Sequence, residues 1–399
     1  MPRLVLFLAL AVFAMGTSEF MLSGVLPAIA ADLSVSLAAA GGLISAFAGG
    51  MAIGAPVSAA LARRWPRRPT LLCFLAVFAA THVVAATTSS FGLLLASRLV
   101  AAFANAGFLA VALMTAAAVA GPKLRGRAVA ALLAGTTVAM VAGVPAGAAA
   151  GDLFGWQWTF WIVAALCVPP FVAIATAAPP ASAGAVDRAD LRTELAVLRR
   201  SDLRVLLVLA TVVNAGTFGF VAYLAVVVVD GARLPQAWVP FVLMLFGSGA
   251  LLGVRLAGRL ADTSPQRCAA VCGPLLLVGW IVIAVAGEHP TVLLPAVAVV
   301  GALAFAMGGT LIVQIVGTAT DAPTMAGSFA TTALNVGALV GPVVAGISLG
   351  GGGAAGPAWC AAVATALAVC GGAHRWRPRL RHRDPAEAQQ DGDGFPVTG

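Results

Sequence analysis

Residues 47–68 read FAGGMAIGAPVSAALARRWPRR, and residues 246–267 read FGSGALLGVRLAGRLADTSPQR. An offset of 199 residues lays Phe47, Gly50, Gly54, Leu61, Ala62, Pro66 and Arg68 on Phe246, Gly249, Gly253, Leu260, Ala261, Pro265 and Arg267. Glycine matches come easily in a chain holding 45 of them, but here the loop residues keep register as well. Each copy is the end of an apolar helix followed by a basic turn, so the chain reads as a duplication.

Composition tells what was duplicated. Of 399 residues, 61% are hydrophobic and 10% charged, and the mean hydropathy is +1.00. So few charges cannot cover the surface of a soluble protein of this size. Runs of about 20 apolar residues, each enough for ~30 Å of hydrocarbon, recur throughout. Hydropathy and breakers place spans at 4–30, 38–62, 69–88, 91–117, 127–150 and 157–178, then 204–229, 238–261, 268–287, 291–317, 325–349 and 356–373. The expected fold is an all-α membrane protein, twelve transmembrane helices in two pseudo-symmetric six-helix halves. The halves are 1–178 and 204–373, joined by a link at 179–203 and followed by a polar tail at 374–399 that is expected to be disordered. The second part of the link fits either a short amphipathic helix or a solvated linker. Short Pro/Gly turns make sequential helices antiparallel neighbours. Arg3 ahead of an apolar run resembles a signal peptide, but the run continues past the usual 7–15 residue core and more spans follow, so the first helix reads as retained.

The net charge of +8 is spread as a topology signal. With the N-terminus in the cytoplasm, the basic loops after spans 2, 4 and 8, the link and the five arginines from Arg375 to Arg383 all fall inside, and Arg233 alone falls outside. Both termini are therefore expected to be cytoplasmic, in a cell membrane. The clusters are short segments between apolar runs and no soluble domain carries a groove, which argues against nucleic acid. The six cysteines read as packing residues; Cys268 and Cys272 share a helix face, but no His or carboxylate completes a metal site. No G-x-x-x-x-G-K-[ST] motif is present, and the single lysine, Lys123, sits in GPKLRG. Four scattered histidines form no Ser/His/Asp grouping. The sequence thus points to no enzyme, no cofactor and no metal.

Small residues recur at every fourth position of four helices: Gly50, Gly54, Ser58 and Ala62; Gly135, Ala139, Gly143, Gly147 and Gly151; Gly249, Gly253, Ala257 and Ala261; Ala333, Gly337, Gly341 and Ala345. Such faces let backbones approach closely in lipid. They fall on spans 2, 5, 8 and 11, so they are expected to be smooth seams on which two halves rock.

Two charges stand inside spans. Glu19 is about 15 residues, roughly 22 Å, from the start of span 1, and Arg98 about 7 residues, roughly 10 Å, from the outer start of span 4. Those depths nearly coincide in the outer half of the bilayer. Each charge alone costs ~2.5–3.5 kcal/mol on insertion scales, which a shared hydrated cavity or mutual contact relieves. Glu19 reads either as a carboxylate that exchanges a proton or as a packing residue satisfied by neighbours such as Thr17. Arg98 reads either as its coupling partner or as a structural cap. Dehydration favours a neutral carboxyl and a nearby cation favours the ionised one. A proton crossing 100 mV supplies about 2.3 kcal/mol, enough for a roughly fiftyfold gradient of a neutral solute. Asn105, Asn214 and Asn335 lie near mid-depth, with Phe13, Phe218 and Tyr223 as aromatic surface. For each of these, core packing competes with substrate binding. His82 reads as packing, and Asp32, Asp152 and Asp230 as solvated helix ends.

These motifs resemble the major facilitator superfamily. GRLADTSPQR (residues 258–267) is similar to that family's loop motif, G-x-L-a-D followed by basic residues. In the first copy Arg63 takes the usual Asp place and Ala59 the Gly place, which leaves Asp262 as the gating acid the resemblance implies. SRLVAAFANAG (residues 97–107) resembles the motif carrying a buried arginine, here Arg98. AGTTVAMVAGVPAG (residues 134–147) resembles the motif of drug–proton antiporters, with Val144-Pro145 for the commoner Gly-Pro. GTSEFMLSGVLPAIAADL (residues 16–33) looks like the chloramphenicol exporters of actinobacteria, which are related to sugar-efflux permeases. The resemblance implies a monomeric proton-coupled exporter of a small amphiphilic drug, chloramphenicol above all, working by alternating access. Its partners would be the drug, protons and the lipid bilayer. Export of sugars or other small metabolites is the alternative. Gating and helix packing would rest on Gly54, Gly143, Pro145, Gly147, Gly253, Asp262, Gly337 and Gly341.

Overall fold

The computed structural model describes residues 3–61, 66–177, 191–261, 264–322 and 325–376. Asp262, Arg63 and Arg64, most of the link and the tail beyond Trp376 lie outside these residues.

The first span is two helices, α1 (Arg3–Phe20) and α2 (Leu22–Asp32), and α3 (Leu37–Leu61) and α4 (Arg67–Thr87) follow. The helical stretch α5 (Phe91–Val138) holds span 4 and the start of span 5. Its direction reverses within that stretch: Gly50 and Gly54 of α3 meet Leu99 and then Phe103, whereas Gly135 and Gly143 meet Ala9 and then Thr17 of the antiparallel α1. A π-helical turn at Ala139–Gly143 precedes α6 (Val144–Phe154). It absorbs one residue of register just ahead of Pro145, which has no N–H for the ladder. α7 (Gln157–Leu166) and α8 (Val168–Ala177) complete the first half. The link contributes α9 (Leu191–Ala196). There the buried Glu194 accepts from Met325 N at 2.9 Å, ahead of the eleventh span.

In the second half, α10 (Ser201–Ala222), α11 (Leu224–Val226) and a π-turn at Val227–Gly231 make span 7. α12 (Val239–Ala261), α13 (Pro265–Ala286), α14 (Pro290–Thr318), α15 (Ala326–Gly352) and α16 (Gly356–Trp376) follow. Among the described residues eleven segments are long and apolar enough to cross a membrane; the last, Ala326–Gly372, is interrupted at Gly353, whose φ of 55° turns the chain back, so it makes two passes and the described residues hold twelve.

The small-residue stripes correct one expectation. Added Cβ atoms at Gly50 and Gly54 would meet Leu99 and Phe103 of span 4, and at Gly249 and Gly253 the carbonyls of Ala298 and Ala302 of span 10. The offset of 199 residues therefore holds for both partners of each contact. At Gly135 they would meet Ala9 O, Val12 and Phe13 N; at Gly337, they would meet Thr211 O, Asn214 and Ala215 N, and all four positions lie 202 residues on. Gly341 likewise sits on Ala215. The glycines of all four stripes pack inside their own half, 2 on 4, 5 on 1, 8 on 10 and 11 on 7. They are not the seam between halves, because a face narrow enough for backbone contact is already filled by its nearest neighbour. The seam uses other residues. Gly247 lies on Met140 O, Gly49 on Leu339, Gly346 on Ala38, and Thr332 donates to Ala52 O at 3.1 Å.

Each half has its own apolar core, and the cores exchange buried residues at the face away from the N-terminus, while Phe20 and Ala59 of the first half pack on the second core further down. Tyr223, Val226 and Ala345 belong to the first core, and Val144 and Ala148 to the second. α2 packs on α10, α11 and α12, whereas α1 packs mainly on its own half. From Met21 to Leu26 and from Gly219 to Val228 every residue is buried, while Phe13, Glu19, Phe20, Asn214 and Phe218 are half-buried. The halves are thus sealed at the far face and less completely buried against each other below it, although Ala59 of α3 still packs on the second core toward the near face, where the N-terminus lies.

Candidate functional site

The site grows from the break in span 1. Pro27 has no N–H for the Ser23 carbonyl and its ring crowds it. Below it the ladder tightens at Met21, where Gly24 N bonds Met21 O at 3.2 Å, and Ser23 Oγ donates to Phe20 O at 2.8 Å, satisfying the carbonyl that Gly24 no longer reaches. Glu19 therefore occupies the last turn of α1. Successive residues point about 100° apart. Ser18 is fully buried inside the first half, Phe20 reaches the second half with its ring 5.8 Å from that of Phe218, and Glu19 points between them, half-buried. Thr17 does not serve Glu19; it donates to Phe13 O at 2.9 Å.

Arg98 enters from α5 and is 1% exposed. Its Nη1 donates to Ser18 Oγ and its Nη2 to Ser18 O, each at 2.8 Å, and its guanidinium lies 4.3 Å from the centre of the Phe47 ring. Among the described residues no ion pair joins it to Glu19. Its Nε has no partner. His82 of α4, also 1% exposed, completes the cluster: Nε2 is 2.6 Å from Ser18 Oγ and Nδ1 is 2.7 Å from Phe78 O. The imidazole is packed between Phe78 and Phe160, with centroids at 4.3 and 5.9 Å. The cation thus has a home one residue away from the acid.

The remaining sequence candidates separate. Phe13 lies against Gly143, where a Cβ would overlap Thr17 Oγ1, so Gly143 sets how closely span 5 approaches the site. Gly147 continues the contact on Met21. Asn105 is buried at 5% exposure within the first half. Asn214 Nδ2 donates to Leu334 O at 2.6 Å and Asn335 Nδ2 to Thr331 O at 2.9 Å, so both amides spend a donor on a helix carbonyl. Tyr223 does not line the cleft. It is 0% exposed, sits in a notch between Gly41 and Gly346, and donates to Pro342 O at 3.0 Å in the sealed far seam. Asp32 is not simply solvated, since it accepts from Trp156 Nε1 at 2.9 Å. Ser18, Phe20, Phe47 and His82 belong to the site and were not among its expected residues. Depth was the available signal for His82: about 15 residues, ~22 Å, above Arg67, it is level with Glu19.

The Major Facilitator Superfamily profile matches residues 8–332. A chloramphenicol resistance protein of Streptomyces lividans is 52% identical over 372 residues, 92% of this chain and 95% of that protein. The inner membrane transport protein YdhP of Escherichia coli (strain K12) is 33% identical over 348 residues, 86% of this chain and 88% of that one. Among solved structures, a mutant of the nucleoside transporter NupG superposes with a TM-score of 0.76 at 15% identity, covering 93% of this chain and 99% of that one. A bacterial homolog of the human lysosomal transporter Spinster, inward-facing and unoccupied, gives 0.75 at 17% identity, with 94% and 96% covered. These two likenesses concern the fold alone.

Proposed function

The chain belongs to the Major Facilitator Superfamily, a family of transporters, and from that premise we propose that it exports a small amphiphilic drug, chloramphenicol first, in exchange for protons. The observation that carries the reading is the placement of Glu19. A half-buried carboxylate sits at the break of span 1, beside a sealed aromatic roof of Phe20 and Phe218 and next to a cation that another residue holds. Substrate entering from the near face would expel water around Glu19, and the far seam would open in the alternate state. The similarity to the Streptomyces protein, over nearly the whole of both chains, supports chloramphenicol as the substrate. Phe13, Phe20 and Phe218 offer aromatic surface for a neutral drug ring, and the free amide oxygens of Asn214 and Asn335 offer acceptors. The near face, rich in arginine, is the cytoplasmic one on this reading, the membrane is the plasma membrane, and the working unit is the monomer.

The test is a susceptibility panel in a pump-deficient host. The wild type raises chloramphenicol tolerance, a protonophore abolishes the effect, and Glu19→Gln, present at equal amount in the membrane, gives none. Tolerance that survives the protonophore would remove proton exchange from the reading.

A further inference from the structure

The second half builds the same corner without any of these polar groups. Met21 and Tyr223 break corresponding spans, 202 residues apart, so Phe220 stands where Ser18 does. Phe220 packs on Trp280 of the ninth span, ring centroids 4.8 Å apart, and the buried Val297 stands 199 residues beyond Arg98. The architecture closes here on aromatic and aliphatic contact alone. A buried hydroxyl, imidazole and guanidinium carry a desolvation penalty that this fold does not require.

Donor and acceptor roles within the cluster are determined by its last member. The Phe78 carbonyl can only accept, so His82 Nδ1 carries the proton and Nε2 is the acceptor. Ser18 Oγ–H must then point to Nε2, which leaves its lone pairs to Arg98 Nη1. We propose that His82 is a positioning residue for proton coupling. By holding the Ser18 hydrogen, it presents a lone pair that parks Arg98 away from Glu19 until the carboxyl ionises and draws the guanidinium over. This rests on the coupling role read above for Glu19. Without an acceptor at position 82, the Ser18 hydroxyl falls back on the Ala14 carbonyl of its own helix, as Thr17 does on Phe13, and Arg98 is released toward Glu19. The charged group facing His82 is Arg98 on α5, reached through Ser18, and Glu19 stands one residue further along α1. Neither α3 nor α7 carries a charged side chain; Cys167 ends α7 two turns below Phe160, and Arg3, Arg67 and Arg68 lie at the near face.

The test uses everted vesicles in which the wild type releases protons on chloramphenicol addition, with release followed from pH 5.5 to 8.5. His82→Leu and Ser18→Ala are expected to lower the midpoint by about half a pH unit or more, roughly threefold in proton affinity. His82→Gln, whose amide offers an acceptor to Ser18 and a donor to Phe78, keeps the wild-type midpoint. A midpoint unchanged or raised in His82→Leu, or a His82→Gln variant shifted as far as His82→Leu, overturns the proposal. Should His82→Leu fail to accumulate in the membrane, Ser18→Ala decides on the same criterion. Glu19→Gln separates the two levels: continued release in that variant removes the coupling role itself, whereas its loss beside an unmoved His82→Leu midpoint removes only the parking of Arg98.

Discussion

At the scale of single residues, the site depends on a guanidinium that is hydrogen-bonded but not ion-paired. Arg98 spends two N–H donors on one serine and lays its face on Phe47. Lysine at that position keeps the charge but loses the fork and the flat face. Loss of one charge-assisted bond is worth about 1.5–3 kcal/mol. Arg98→Lys is therefore expected to lower thermal stability in detergent and to reduce transport at least tenfold, measured as drug efflux per molecule; a variant with wild-type efflux would show the fork to be dispensable. The depths of Glu19 and Arg98 were legible by counting along two apolar runs of opposite direction. Ser18 was not, because its partner His82 is 64 positions away on a helix that hydropathy presents as uniform.

Between elements, glycine decides what can touch. A Cβ at Gly253 would overlap the Ala302 carbonyl, an immovable backbone atom, whereas one at Gly308 would meet nothing within 4 Å. Gly253→Ala is expected to cost about 1–3 kcal/mol through overpacking. Gly308→Ala should be neutral or gain up to about 1 kcal/mol by restricting the unfolded chain. Paired melting curves of the two variants check the contrast, and equal melting temperatures would refute it. The period of four in the sequence identified the narrow faces correctly but not their partners, since spacing along one helix says nothing about which neighbour lies across it. The 202-residue repeat was hidden for a related reason. Ala9, Val12 and Phe13 share no side chain with Thr211, Asn214 and Ala215, and only their backbones repeat.

Across the whole molecule, the far seam closes on the single tyrosine of the chain. Gly41 from one half and Gly346 from the other form the notch that holds Tyr223. Gly41→Val fills that notch. It is expected to hold the far seam open and to reduce drug efflux more than tenfold, with recovery in the Gly41→Val/Tyr223→Ala double variant. No recovery would place the defect elsewhere in span 2. Twelve passes and their pairing into halves were readable from hydropathy and the 199-residue offset. The face at which the halves seal was not, because it depends on which buried faces exchange residues, a tertiary fact. The central claim is that substrate arrival displaces a proton from Glu19. Adding chloramphenicol to purified protein in weakly buffered detergent solution, and following pH, measures that displacement directly. Release of protons by the wild type and none by Glu19→Gln is the predicted result; equal release from both would contradict it.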